Sequence, residues 1–297
     1  MNSSKILTPL MAALLIACAA VAVAARAETS AAPTRFSVKV TGQGPDVILI
    51  PGLASSAAVW DDTVLRLSGR YRLHVIQVAG FAGSPPAANA DGPILGPLVE
   101  ALHAEIERDH MNHPAVIGHS MGGLIGLMLA HSHPGDVGKL MVVDALPFYA
   151  VILGPGTTSA TVQPMAAQAR DAILAMPAEA FAASETQTAA RLSKTPAGRA
   201  LVAAWGVASD RSVAARATYD DLTTDARPDL ATIKIPVTVV YAWDAAMGPA
   251  PQVDALYASN YADLPTKRLV RVDDTFHFIP LDQPDVFARQ VEDFLSR

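Results

Sequence analysis

One cysteine, Cys18, occurs in the 297 residues, and it lies inside an apolar N-terminal stretch that reads as a removable leader. Without that stretch the chain has no disulfide, no thiol nucleophile and no thiolate metal site. Positive charge is also in short supply, with 22 Lys and Arg against 28 Asp and Glu and a formal net charge of −6. Such a balance argues against nucleic acid and anionic membrane surfaces as partners. Internal repeats and low-complexity tracts are lacking beyond a general richness in alanine. What remains, about 270 residues, is enough for one domain with a sizeable core and room for an insertion.

Residues 1–27 carry one early positive charge, Lys5, then an apolar run from Ile6 to Ala25 and an A-x-A-like end at Ala25-Arg26-Ala27. This is the pattern of a secretory signal peptide cut after Ala27, and it predicts an exported protein, periplasmic or secreted. Two other readings stand beside it. The run approaches the length of a membrane anchor, and Leu15-Ile16-Ala17-Cys18 resembles a bacterial lipoprotein box, which would tether the protein by a lipid on Cys18. The apolar residues Ala19 to Ala25, where a lipoprotein would carry a polar tether, favour cleavage. Cleavage removes Lys5 and Arg26 and no acid, which shifts the net charge from −6 to −8.

The stretch with the most chemistry is Gly118-His119-Ser120-Met121-Gly122. Ala115-Val116-Ile117 before it suits a buried strand, and Gly123 to Ala130 after it reads as a helix. A chain that turns from strand to helix without a loop strains its backbone there, and flanking glycines keep side chains out of the way. Ser120 is thereby predicted to stand at the carboxyl edge of a sheet as a nucleophile. The backbone N–H of Met121, at the helix N-terminus, points toward the same space.

Other strands are expected at Phe36 to Val40, Asp46 to Ile50, Tyr71 to Val78, Lys139 to Val143, Pro236 to Tyr241 and Arg268 to Val272. Helices are expected at Trp60 to Leu67, Pro97 to His110 and Pro284 to Leu295. This alternation predicts an α/β fold with a mostly parallel central sheet flanked by helices, whose ligands bind at the carboxyl ends of the strands.

Three motifs in this order resemble the α/β-hydrolase family. Ile50-Pro51-Gly52-Leu53 is similar to the loop that supplies the second oxyanion donor, here the Leu53 N–H, although many relatives carry histidine where Pro51 stands. Gly80-Phe81-Ala82-Gly83-Ser84 is similar to the loop after the following strand, and Gly118 to Gly122 to the nucleophile elbow, with His277 late in the chain. The resemblance covers a core of residues 34–145 and 233–297. Residues 146–232 break the alternation with alanine-rich helices, whose starts are expected at Thr195-Pro196 and Ser209-Asp210. A structureless loop of that length would be improbable, and the resemblance implies a helical cap over the sheet edge. Phe148, Tyr149, Met165, Met176 and Trp205 are candidates for an apolar roof, or equally for the cap's own small core.

A serine hydroxyl needs a base, and histidine suits that task. His277 alone follows the last core strand, and it is the expected base. His119 adjoins Ser120, so its side chain should point away and line the site or pack. His74, His103 and His110 read as solvated or capping residues. His131-Ser132-His133 has metal-like spacing but no acidic cluster around it, so neither a metal nor a cofactor is expected. The third member must be a carboxylate that holds the imidazole. Asp244 follows the strand where relatives usually carry it, and Asp144, after the preceding strand, is the alternative. The set predicts a serine hydrolase of carboxylic esters acting on a small-molecule substrate. Lactones, C–C bonds flanked by carbonyls, and a non-catalytic ligand-binding role are the alternatives.

Overall fold

The computed structural model describes Met1 and residues 34–154 and 156–297. The signal-peptide and lipoprotein readings fall outside these residues. Seven strands form one sheet: β1 (Phe36–Thr41), β2 (Asp46–Ile50), β3 (Arg72–Val78), β4 (Ala115–His119), β5 (Lys139–Val143), β6 (Val237–Trp243) and β7 (Lys267–Asp273). Their order is β1-β3-β2-β4-β5-β6-β7, with β1 antiparallel to β3 and every other pairing parallel.

The central strands read as continuous apolar runs because both faces are covered. Successive residues alternate between two cores. Ile48, Ile50, Val116, Leu140 and Val142 face one, while Val47, Leu49, Ile117, Met141 and Val143 face the other. The first is covered by α2 (Leu95–Arg108) and α3 (Met121–Ser132), the second by α1 (Asp61–Leu67) and the C-terminal helix. That C-terminal helix contributes Phe287, Val291 and Phe294 to the second core.

Between β5 and β6 lie α4 (Ser159–Ala175), α5 (Ala178–Leu192), α6 (Pro196–Ala208) and α7 (Arg211–Thr223). α4 packs on α7 and α5 on α6. Thr195 caps α6 by accepting the Gly198 N–H at 3.1 Å, and Asp210 caps α7 by accepting the Val213 N–H at 3.0 Å. Both helices therefore start where short polar side chains can satisfy free backbone donors. α2 begins two residues before the expected Pro97. Asp220 of α7 accepts the N–H groups of Ile94 at 2.6 Å and Leu95 at 3.2 Å, a cap supplied from another part of the chain. After β6 come α8 (Ala250–Asn260) and, beyond β7, the short α9 (Ile279–Asp282) and α10 (Pro284–Ser296), the C-terminal helix.

The helices between β5 and β6 are fastened to the loops at the carboxyl edge. Asp210 N–H donates to Gly80 O at 2.7 Å, and Ala82 N–H donates to Ser209 Oγ at 2.9 Å. Asp282 makes a second fastening. Its carboxylate accepts from Ser193 Oγ at 2.7 Å, from the N–H groups of Lys194 and Thr195, and from the Phe276 N–H at 3.0 Å. Phe278 N–H also donates to Leu192 O at 3.0 Å, so both neighbours of His277 are tied to the α5–α6 turn.

Candidate active site

Ser120 stands between β4 and α3 with φ of 54° and ψ of −125°, a left-handed conformation that L residues adopt at a cost. The turn is held by the neighbouring strand and by itself, since Ser120 N–H donates to Val143 O of β5 at 2.8 Å and Ser120 O accepts from Gly123 N–H at 2.7 Å. The flanking glycines are required by contact. A Cβ on Gly118 would lie 2.1 Å from Gly122 O, and one on Gly122 would lie 2.4 Å from Ile50 O. Gly52 is pressed against the turn, where a Cβ would come within 3.0 Å of Ser120 Cβ and 3.1 Å of His119 Nδ1. The Pro51-Gly52-Leu53 loop thus runs beside the serine, and Leu53, Ser120 and Met121 line one cavity.

Strand register explains which acid meets His277. His119 of β4 pairs with Val143 of β5, so Ser120 and Asp144 are each the next residue at the same level of adjacent strands. Asp144 Oδ2 accepts the Nδ1–H of His277 at 2.7 Å. Its other oxygen accepts from Ala242 N–H at 2.8 Å and Tyr257 Oη–H at 2.9 Å. Burial alone would raise this carboxyl's pKa. The hydrogen bond and charge of His277, with Ala242 and Tyr257, outweigh that and hold it below the ordinary aspartate range. An ionised Asp144 fixes the tautomer with hydrogen on Nδ1 and leaves His277 Nε2 free as an acceptor.

This corrects the expected pairing with Asp244. Val143 is level with Val240 in the sheet, so Asp244 sits beyond that level at the end of β6, where Trp243 pairs with Asp273. There its carboxylate accepts from Lys194 Nζ at 2.7 Å and caps a short turn through the Ala246 N–H at 2.8 Å. Lys194 also bonds Asp274. The Lys194 bond, with that from Ala246, holds the Asp244 carboxyl below its ordinary value as one partner of an ion pair.

His119 is fully buried in the floor of the site, where it lines the cavity. Its Nε2–H donates to the backbone oxygen of His277 at 3.0 Å, and its Nδ1 has no partner among the described residues. Burial first, and then the charge of His277, drive its pKa down to about 3, so the ring is neutral and acts as a prop for the histidine loop.

The cavity measures about 800 Å³. The sheet edge supplies Ser120, His277 and Asp144, while α4, α5 and α7 supply the opposite wall. Of the candidate roof residues, Tyr149 and Met176 line it. Phe148 does not. It is buried with Ala150 and Val162 in a separate small core, under the Arg227 guanidinium. Trp205 packs on Phe278, ring centroids 6.3 Å apart, as part of the second core, and Met165 is exposed.

Three polar groups at the site went unforeseen: Tyr257, Glu185 and Asp221. Tyr257 has no signal in the sequence beyond its place on a helix. The acids were discoverable, because Ser184, Glu185 and Thr188, like Thr218 and Asp221, recur at helical spacing within alanine-rich segments. Burial pushes the Asp221 carboxyl up to about 6, with Asp220 adding to the rise and His277 opposing it.

A carboxyl whose pKa is higher folded than unfolded binds more protons in the native state between the two values. Stability is then lost as pH rises through that window. For Asp221 the window runs from about pH 4, the ordinary aspartate value, to about 6. Asp221→Asn is therefore expected to gain stability over wild type across this window and to keep the gain, at most about 3 kcal/mol, at higher pH. Thermal midpoints of both proteins from about pH 4 to about pH 8 check this. A constant difference would contradict it.

His131 and His133 do not act together, since His131 Nδ1 meets Thr232 Oγ1 at 2.7 Å. His133 instead stacks on His103, and with Asp136 these rings bring possible ligand atoms within 4.8 Å of one another. His103 Nδ1–H already donates to Asp136 at 2.8 Å, and none of the three lines the cavity.

Among curated proteins, the chain is 34% identical over 113 residues to a pimeloyl-(acyl-carrier protein) methyl ester esterase of Aeromonas hydrophila subsp. hydrophila, covering 38% of this chain and 42% of that protein. A namesake from Vibrio atlanticus is 33% identical over 116 residues, with 39% and 42% covered. The matched part is thus about two fifths of these relatives' length. Among solved structures, the enol-lactonase of Burkholderia xenovorans LB400 superimposes with a TM-score of 0.71 at 21% identity, over 88% of this chain and 96% of that one. An esterase of Thermogutta terrifontis does so with 0.71 at 17% identity, over 88% and 93%. These likenesses establish the shared fold. The family model described as the alpha/beta hydrolase family matches residues 47–290, which span the elbow, Asp144 and His277, and the chain belongs to that family.

Proposed function

We propose that the protein is an exported serine hydrolase of carboxylic esters. The observation that carries this reading is the Asp144–His277 hydrogen bond at the edge of the cavity that Ser120 enters from its strained turn. Ser120 Oγ attacks the ester carbonyl carbon and its proton passes to His277 Nε2, while Asp144 steadies the imidazolium. The N–H groups of Leu53 and Met121 hold the oxyanion. Collapse breaks the carbon–oxygen bond, and the alcohol leaves with the proton from His277. Water then attacks the acyl-enzyme with His277 again as base, releasing the acid and restoring Ser120. Esterase activity in the curated relatives, which share about two fifths of their length with this chain, agrees with this chemistry.

The test is a fluorophosphonate probe followed by peptide mapping, alongside p-nitrophenyl esters of increasing acyl length. Covalent label on the peptide containing Ser120, with ester turnover, is the expected result. Label without turnover would redirect the substrate class to lactones or activated C–C bonds. Folded protein that takes no label would leave a binding protein. Export rests on the pattern of residues 1–27, and a mature N-terminus at Glu28 in an extracytoplasmic fraction is its expected signature.

A further inference from the structure

The charge in the cavity is one-sided. Of its lining residues, Asp144, Glu185 and Asp221 are acidic, and no lysine or arginine is among them. Asp144 is committed to His277, Ala242 and Tyr257. Asp221 has no hydrogen-bond or ion-pair partner among the described residues. Its charged neighbours are Asp220, which is engaged with Ile94 and Leu95, and His277 across the cavity. Arg191, whose charge reaches Tyr149 on the same wall, is exposed and outside the lining.

Helical spacing shows that these acids belong to the cavity face. On α7, Ala214, Thr218 and Asp221 follow one another at intervals of four and three, and all line the cavity. On α5, Phe181, Ser184, Glu185 and Thr188 follow at intervals of three, one and three, and all line it too. The Glu185 carboxyl is partly buried against Gly206, where a Cβ would lie 2.2 Å from its Oε2. A pocket built only for a hydrocarbon acyl chain would carry leucine or valine at such positions. Both acids are half-buried, and an acid partly withdrawn from water with no cation beside it carries a cost that a ligand relieves when it brings the partner.

We propose that Asp221, with Glu185 as a second acid elsewhere on the same lining, makes the helical wall of the cavity a subsite for an organic ammonium group. The preferred esters then carry such a group on the acyl or alcohol part. This rests on Ser120 acting on esters, and it adds what the cap selects. The same wall repels esters that carry a free carboxylate.

Three butanoate-type esters of one shape test it: the 2-(trimethylammonio)ethyl ester, its uncharged 3,3-dimethylbutyl isostere, and the 3,3-dimethylbutyl hemisuccinate, which is anionic. The readout is the ratio of kcat/KM values within each protein, so a general loss of activity in a variant cancels. In wild type the ammonium ester is expected to exceed its isostere by about tenfold and the hemisuccinate to fall below it. Asp221→Asn is expected to bring the first ratio down to about twofold or less, and Glu185→Gln to lower it by a smaller factor.

A wild-type ratio at or below one, or a high ratio that neither variant lowers, would overturn the proposal while leaving ester hydrolysis intact. Calorimetry on Ser120→Ala protein decides the matter without turnover, using choline and 3,3-dimethylbutanol as ligands. Tighter binding of choline that is lost in Ser120→Ala/Asp221→Asn supports the subsite even if no ester is cleaved. Equal binding of the two alcohols overturns it.

Discussion

Asp144→Asn is expected to lower kcat about 10,000-fold on any ester the protein cleaves, the size of loss seen when a Ser-His-Asp triad loses its charge but keeps its shape. Asparagine at position 144 would offer either its carbonyl oxygen or its NH₂ to His277 Nδ1. If the NH₂ faces the ring, the imidazole hydrogen moves to Nε2, where it blocks proton removal from Ser120. If the oxygen faces it, the tautomer survives, but the imidazolium formed during attack loses the charge 2.7 Å away. Asp244→Asn, one strand over, is expected to keep activity within about threefold. Its loss falls on the Lys194 ion pair, which lowers the thermal midpoint modestly and leaves the pH–rate profile in place. Steady-state kinetics of the two variants on one p-nitrophenyl ester separate them. Inactivation by the change at 244 with activity retained by the change at 144 would reverse the assignment.

The second large effect is on folding. Gly118→Ala places a methyl group 2.1 Å from Gly122 O and 2.4 Å from Gly122 C. Both are backbone atoms of the helix start, so no side-chain rotation relieves the clash. Overpacking that can be absorbed costs about 1–3 kcal/mol. This one cannot be absorbed without moving β4 away from α3, and a loss above that range, seen as little soluble protein or a collapsed denaturation midpoint, is expected. Gly96→Ala is the control. Gly96 is exposed in the first turn of α2, just before Pro97, with nothing within 4 Å of its added Cβ, so the variant is expected to fold and to stay within about 1 kcal/mol of wild type. Similar outcomes for the two variants would mean that the elbow is looser than its contacts imply.

The elbow, the sheet and the late histidine were legible because their causes are local. Glycine on both sides of Ser120, apolar runs of strand length and the crossover helices all leave marks within a dozen residues. The choice of acid left no such mark. Asp144 and Asp244 both end buried parallel strands, and what separates them is sheet register, with Val143 level with both His119 and Val240. Lys194, which engages Asp244, is 50 positions away in the chain. The early start of α2 was hidden for the same reason, since Asp220 comes from the inserted helices. Phe148 takes the second of its two readings, the small core of the inserted helices, and Trp205 takes neither, because aromatic character says that a side chain is buried and says nothing about which of several neighbouring cavities or cores receives it.

Asp282 ties the α5–α6 turn and the backbone just before His277 into one knot, through bonds to residues 193–195 and to Phe276. In evolutionary terms, the insert can change in composition on the helix faces that meet solvent, but not in length at this turn. A residue gained or lost between Ser193 and Thr195 would change which N–H groups reach the carboxylate, and the disturbance would arrive at position 277. A cap exchanged between relatives must therefore bring this turn and residues 276–282 together, as a matched pair of parts.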